Sequence, residues 1–121
     1  MTVEPRDRAV QALYEADQRD LSLAAEELPP KAARLVAGVL AHLAELDHEI
    51  DAASEHWRVQ RMPVVDRAIL RLGLYELRYE PETPVAVIVA EAVRLAKTFS
   101  TERSGAFVNG VLAALVERER S

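Results

Sequence analysis

The feature that most constrains this chain is a long apolar series at helical spacing. From Lys31 onward Val36, Val39, Leu40, Leu43, Leu46, Ile50, Ala53 and Trp57 recur in register with a helix. Residues three and four apart share a helix face, so this pattern predicts one long helix or two collinear ones and excludes a half-buried strand. A chain organised around such a stripe must bury it against other helices.

The remaining segments follow the same period. A first helix is expected from about Glu4 to Gln18, with Thr2 as its cap and Val10, Leu13, Tyr14 and the polar Asp17 on one face. Arg19 to Pro30 lacks strong periodicity; Leu21, Leu23, Ala24 and Ala25 suggest one short turn before Pro29-Pro30 stops it. Pro63 restarts a helix that runs to about Tyr79. In it Val65, Ile69 and Leu72 line one face while Leu70, Leu74 and Leu77 line another. An apolar arc that wide marks a central helix packed on two sides, and Gly73 within it points to a close crossing. Thr83 is expected to cap the next helix, with Pro84 in its first turn and Val85, Val89, Ala92, Leu95, Ala96 and Phe99 inward. The β-branched run Val85 to Val89 would suit a strand by itself, but the stripe continues to Phe99. Ser100 or Thr101 caps the last helix. There a loop from Thr101 to Ala106 is expected to precede Phe107 and Asn109, with Val108, Val111, Leu112 and Leu115 inward. The reading is all-α, one domain over residues 1–121.

Several chemistries are absent. With no cysteine there are no disulfides and no thiolate ligands or nucleophiles. His42, His48 and His56 lack the spacing of a helical zinc motif, and each reads as a surface or helix-end histidine. Asp47, Glu49 and Asp51 read as a solvated face. No phosphate loop, nucleophile elbow or dinucleotide fingerprint occurs, so no enzyme, metal or cofactor is expected. No secretory signal is read at Met1 to Arg8, and no apolar run approaches the roughly 18 residues of a membrane span. A cytoplasmic protein is expected.

Charge permits a nucleic-acid partner without requiring one. The net charge is −5, but the first 56 residues hold 12 acids against 5 bases and the rest 8 against 10. Thirteen of the 15 basic residues are Arg, the better group for planar phosphate contact.

Two blocks and an opening signature carry more information. The first block holds Trp57, Arg61-Met62, Val65-Asp66-Arg67-Ala68-Ile69-Leu70-Arg71 and Tyr75-Glu76-Leu77. The second holds Glu91-Ala92-Val93, Leu95-Ala96-Lys97, Phe99 and Phe107-Val108-Asn109-Gly110-Val111-Leu112. With Arg8-Ala9-Val10-Gln11-Ala12-Leu13-Tyr14 in the first helix, their order and spacing resemble the NusB family. The resemblance implies two perpendicular helical bundles in one domain. It also implies binding of single-stranded boxA RNA in nascent ribosomal RNA, as a heterodimer with NusE, a small-subunit ribosomal protein. That complex then joins the RNA polymerase antitermination complex.

Carried over residue by residue, the resemblance places Arg6, Arg8, Gln11 and Tyr14 on an RNA surface of the first helix. Guanidinium groups suit phosphates there, and a ring and an amide suit unstacked bases; Tyr14 serves core packing equally well. Phe107 would stack on a base or else pack in the core, and Asn109 would read an edge or else tie the loop down. Free helix N–H groups, Arg103 and Lys97 would supply phosphate contacts, Lys97 alternatively serving only the C-terminal helix dipole. Asp66 and Arg67 are expected to face NusE, Asp66 alternatively serving only the helix dipole. Arg71 is expected in a local ion pair, with Glu91 as its candidate partner.

The sequence departs from the family at its start, where Glu4 and Asp7 offset Arg6 and Arg8, and at Ala90, where the family carries Asn. A second reading follows: a protein-interaction module of the same fold with weakened RNA binding, in which spare apolar surface seals a homodimer. A third, the accessory domain of a ribosomal RNA methyltransferase, lacks a cofactor-binding region in these residues.

Overall fold

Six helices and one 3₁₀ turn organise the chain, in a computed structural model that describes residues 4–19, 28–55 and 57–120. They are α1 Pro5–Arg19, α2 Pro30–Ala41, α3 Leu43–Ala53, the turn Val59–Arg61, α4 Val64–Tyr79, α5 Val85–Phe99 and α6 Glu102–Arg120. No strand occurs among the described residues. The expectations for a Thr2 cap, a turn between Arg19 and Pro30, and a helix-end His56 lie outside the described residues.

The wide apolar arc of α4 does what its width demands: α4 packs on all five other helices. On one side lie α1 and α2, on the other α5 and α6, while α3 bridges α4 and α6. Ile69, Leu70, Leu72, Leu74 and Leu77 are all buried, each contributing roughly 1.5–3 kcal/mol against exposure. Gly73 marks the crossing with α6, since a Cβ there would meet Leu112 Cδ2 at 3.1 Å.

The long apolar series is two helices, not one. His42 takes φ −115 and ψ 18, its N–H shared between the carbonyls of Gly38 and Val39, and the chain restarts at Leu43. Leu46 and Ile50 stay inward, but Leu40 is exposed, and α3 ends before Trp57 can continue the stripe. Thr83 does not cap α5: Pro84 stands at that boundary, and no side chain caps it. Thr101 does cap α6, its Oγ accepting the Ser104 N–H at 3.0 Å. The loop expected from Thr101 to Ala106 is therefore helical from Glu102, and Phe107 sits in the second turn rather than at the N-terminus.

Acids expected on a solvated face instead pin helices together. Asp47 accepts two hydrogen bonds from Arg71 at 2.7 and 2.8 Å, which replaces the Arg71–Glu91 pairing expected from sequence. Asp51 receives the Val59 N–H, and Glu49 pairs with Arg118 of α6. Asp17, the polar residue on the inward face of α1, receives Arg67 Nε at 2.6 Å.

A further network joins α3, α4 and α6. Glu45 accepts from the Tyr79 hydroxyl at 2.6 Å and Arg78 Nη1 at 2.8 Å, and meets His42 Nδ1 at 2.9 Å. Those bonds, Tyr79 first, lower its carboxyl from an ordinary 4.5 to about 2. A carboxyl depressed by folding stabilises the native state above its unfolded value and loses that contribution as pH falls toward the folded one. In acid titration followed by circular dichroism, Glu45→Gln is therefore expected to lose less stability than the parent between pH 4.5 and 2. Parallel loss in both proteins would assign the acid sensitivity to other carboxylates.

Candidate nucleic-acid and partner interface

Two grooves flank one corner of the molecule, where the start of α4 meets the end of α5. The first, about 720 Å³, is lined by Val10, Gln11, Tyr14, Glu15, Gln18, Val65 and Phe99. The second, about 700 Å³, is lined by Trp57, Pro63, Asp66, Ser100, Thr101, Arg103, Ser104 and Phe107. Val65 and Asp66, and Phe99 and Ser100, are chain neighbours, so the grooves lie on either side of one ridge. Both have volumes within the roughly 300–1,000 Å³ of small-molecule sites.

Residues of α1 divide sharply. Gln11 and Tyr14 are exposed and line the first groove, which removes Tyr14 from the core. Arg6 does not join them. Its Nε and Nη2 grip the buried Glu76 of α4 at 2.8–3.1 Å, and Nη1 lies 3.8 Å from Glu91. The Arg6 side chain is only 12% exposed, so the expected phosphate contact is instead a bond between helices. Asp7 pairs with Arg94 of α5 at 2.6 Å rather than offsetting its neighbours in solution. Arg8 is left half-buried and without an ion pair among the described residues.

Around α6 the expected residues come together more fully. Arg103 is exposed at the second position of the helix, with no ion pair among the described residues. Phe107 is half-buried and serves both expectations at once, packing on the core while lining the second groove. Asn109 is exposed but lines neither groove. Lys97 is exposed and lies 3.7 Å from Glu102; its stem packs where a Cβ on Gly105 would stand, 2.9 Å from Cγ.

The two residues expected to face a partner are mostly enclosed. Arg67 is held by Asp17 and the Gln60 carbonyl. Asp66 is 1% exposed, and its Oδ1 has no hydrogen-bond partner among the described residues. Burial pushes its carboxyl above the ordinary carboxylate value, while the hydroxyls of Ser104 and Ser100 pull it back. A buried acceptor left unmatched costs free energy unless something arrives to use it.

The arrangement therefore offers stacking rings, exposed cations and hydroxyls, with no group of side chains that could hold a metal ion among the described residues. The model of the NusB family matches residues 3–117. The chain belongs to the NusB family. That family consists of transcription antitermination factors, not enzymes. Among curated NusB relatives, the transcription antitermination protein NusB of Acidothermus cellulolyticus is 49% identical over 120 residues, covering 91% of this chain and 83% of the relative. The protein of the same name from Arthrobacter is 40% identical over 126 residues, covering 96% and 93%. The fold is that of solved NusB structures. Thermotoga maritima NusB superposes with a TM-score of 0.81 at 34% identity, covering 97% of this chain and 93% of that one. NusB in a structure of antitermination factors NusB and NusE with double-stranded RNA gives 0.83 at 28% identity, covering 94% of each chain. Among the described residues, no helix of this NusB-family chain is long and apolar enough to cross a membrane.

Trp57 is another residue that the sequence pattern misplaced. Its spacing from Ala53 continued the stripe, yet the indole is 45% exposed and its ring centroid lies 5.2 Å from that of Phe107. A signal was present: Pro63 and the absence of further stripe residues between Trp57 and Pro63 show that no helix continues there.

Proposed function

We propose that the chain is a transcription antitermination factor that binds boxA-type single-stranded RNA of nascent ribosomal RNA together with NusE. It works as a single domain, in the cytoplasm, within the RNA polymerase antitermination complex. The observation that carries this reading is the second groove, where Arg103 of α6, which has no ion pair among the described residues, stands with the aromatic ring of Phe107. Single-stranded RNA is held by that combination of charge on the backbone and rings on the bases. Arg8, Gln11, Tyr14, Lys97 and Asn109 extend the surface. Asp66 supplies a buried acceptor for a donor of NusE entering the groove, and Arg67 braces the same helix.

Titration of boxA RNA at two salt concentrations, with and without NusE, tests the assignment. Phe107→Ala is expected to weaken binding about tenfold, within the ~1–3 kcal/mol of one base–aromatic stack. Unchanged affinity in that variant would return Phe107 to the core alone. Absence of specific binding with folded protein and active NusE would sink the RNA assignment. It would then favour a second reading, a protein-interaction module of NusB fold. The enclosure of Arg6 favours that reading specifically, since it removes one phosphate contact, worth about 0.7 in salt slope for a single strand.

A further inference from the structure

We infer that Trp57 forms a second stacking platform for unpaired RNA bases, continuing from Phe107 across the rim of the second groove. The inference rests on the RNA-binding reading and extends it to a residue outside the surface proposed above.

The indole is displayed by a built turn. Ser54 closes α3, its Oγ donating to the Trp57 carbonyl at 2.8 Å and accepting the Trp57 N–H at 3.4 Å. Two residues on, the Val59 N–H donates to Asp51 at 2.6 Å, which fixes the far side of the turn. Held between these anchors, the ring is tilted 60° to Phe107, and the two together wall the groove. A Trp left nearly half exposed beside another aromatic ring is unusual for a surface that has nothing to bind.

The groove's chemistry favours a nucleic acid as occupant. Arg103 lines it with no ion pair among the described residues, and Arg58, next to Trp57 in the chain, is 75% exposed though 3.8 Å from Asp51. Three hydroxyls, of Ser100, Thr101 and Ser104, complete the polar lining. Its single acid is Asp66, which is 1% exposed and so presents almost no carboxylate surface to the groove. Rings that accept bases in succession, flanked by arginines that follow the backbone, are the physical basis of single-strand binding.

Trp57 is the only tryptophan of the chain, so its emission reports on the platform directly. The full chain is titrated with single-stranded boxA oligonucleotide, without NusE, following tryptophan emission and, independently, the anisotropy of labelled RNA. Quenching that tracks the anisotropy is expected, with about tenfold weaker binding in Trp57→Ala and near-parent binding in Trp57→Phe. RNA binding with unchanged emission, and parent affinity in Trp57→Ala, would overturn the platform while leaving the RNA-binding reading intact. Trp57→Ala that binds RNA normally but loses affinity for NusE would overturn it in favour of a protein contact. No RNA binding by the parent chain, with NusE added as well as without it, would bring down both.

Discussion

Arg6→Ala is expected to destabilise the fold by about 3–5 kcal/mol, the range for breaking one half of a buried ion pair. The reason is the company Arg6 leaves behind. The Glu76 side chain is 3% exposed, and Arg6 Nε and Nη2 are its hydrogen-bond donors among the described residues. Without the guanidinium, a carboxylate is stranded between α1 and α4, with Glu91 nearby adding like charge. Replacing both partners by apolar groups, as in Arg6→Met/Glu76→Leu, removes the stranded charge and is expected to recover much of the loss. Urea denaturation of the parent and the two variants measures this. A shift below ~0.5 kcal/mol for Arg6→Ala, with a reduced salt slope for RNA binding, would return Arg6 to the phosphate-binding surface that its sequence context suggests.

Gly38→Ala is expected to cost about 2 kcal/mol, although alanine is the better helix former by ~1 kcal/mol. A Cβ at this position of α2 would overlap the ring of Tyr75 on α4, at its Cζ, hydroxyl and Cε1 atoms. Tyr75 has little room to withdraw. It is 8% exposed, and its ring centroid lies 5.2 Å from that of Tyr79 and 6.3 Å from that of His42. The contact itself is tested by Gly38→Ala/Tyr75→Leu. If the overlap is the cause, the second substitution relieves part of the first, and the combined loss is smaller than the two single losses added. Strict additivity would place the cost of Gly38→Ala elsewhere.

Much of the architecture was legible because it is written locally. The α4 boundaries, expected at Pro63 and Tyr79, are found at Val64 and Tyr79, and α5 ends at Phe99 as its stripe does. Proline starts and apolar periods act over one or two turns, and a linear reading samples that distance. Gly73 was legible as a crossing for the same reason: an isolated glycine in a strong helix implies a near neighbour. Of the two readings of the α6 start, the cap at Thr101 is found and the loop through Ala106 is not, although Ser104 and Gly105 have the look of loop residues. The Thr101 cap and the close approach of Gly105 to the Lys97 stem outweigh their weak propensity.

The candidate site was legible as residue types and not as partners. Sequence alone gives the helical class, the central helix, the absence of cysteine chemistry, and the blocks that resemble the NusB family. Tertiary structure decided which cations are taken up in ion pairs. Arg6 and Arg8 are two residues apart and equivalent on the page, yet packing gives Arg6 to Glu76, seventy positions away, and leaves Arg8 without an ion pair among the described residues. It also turned Trp57 outward beside Phe107 and placed Asp66 on the groove wall with one oxygen unmatched among the described residues. The physical reason is range. Helix formation is governed by neighbours three and four residues away, whereas an ion pair or a ring contact exists only once distant helices have met.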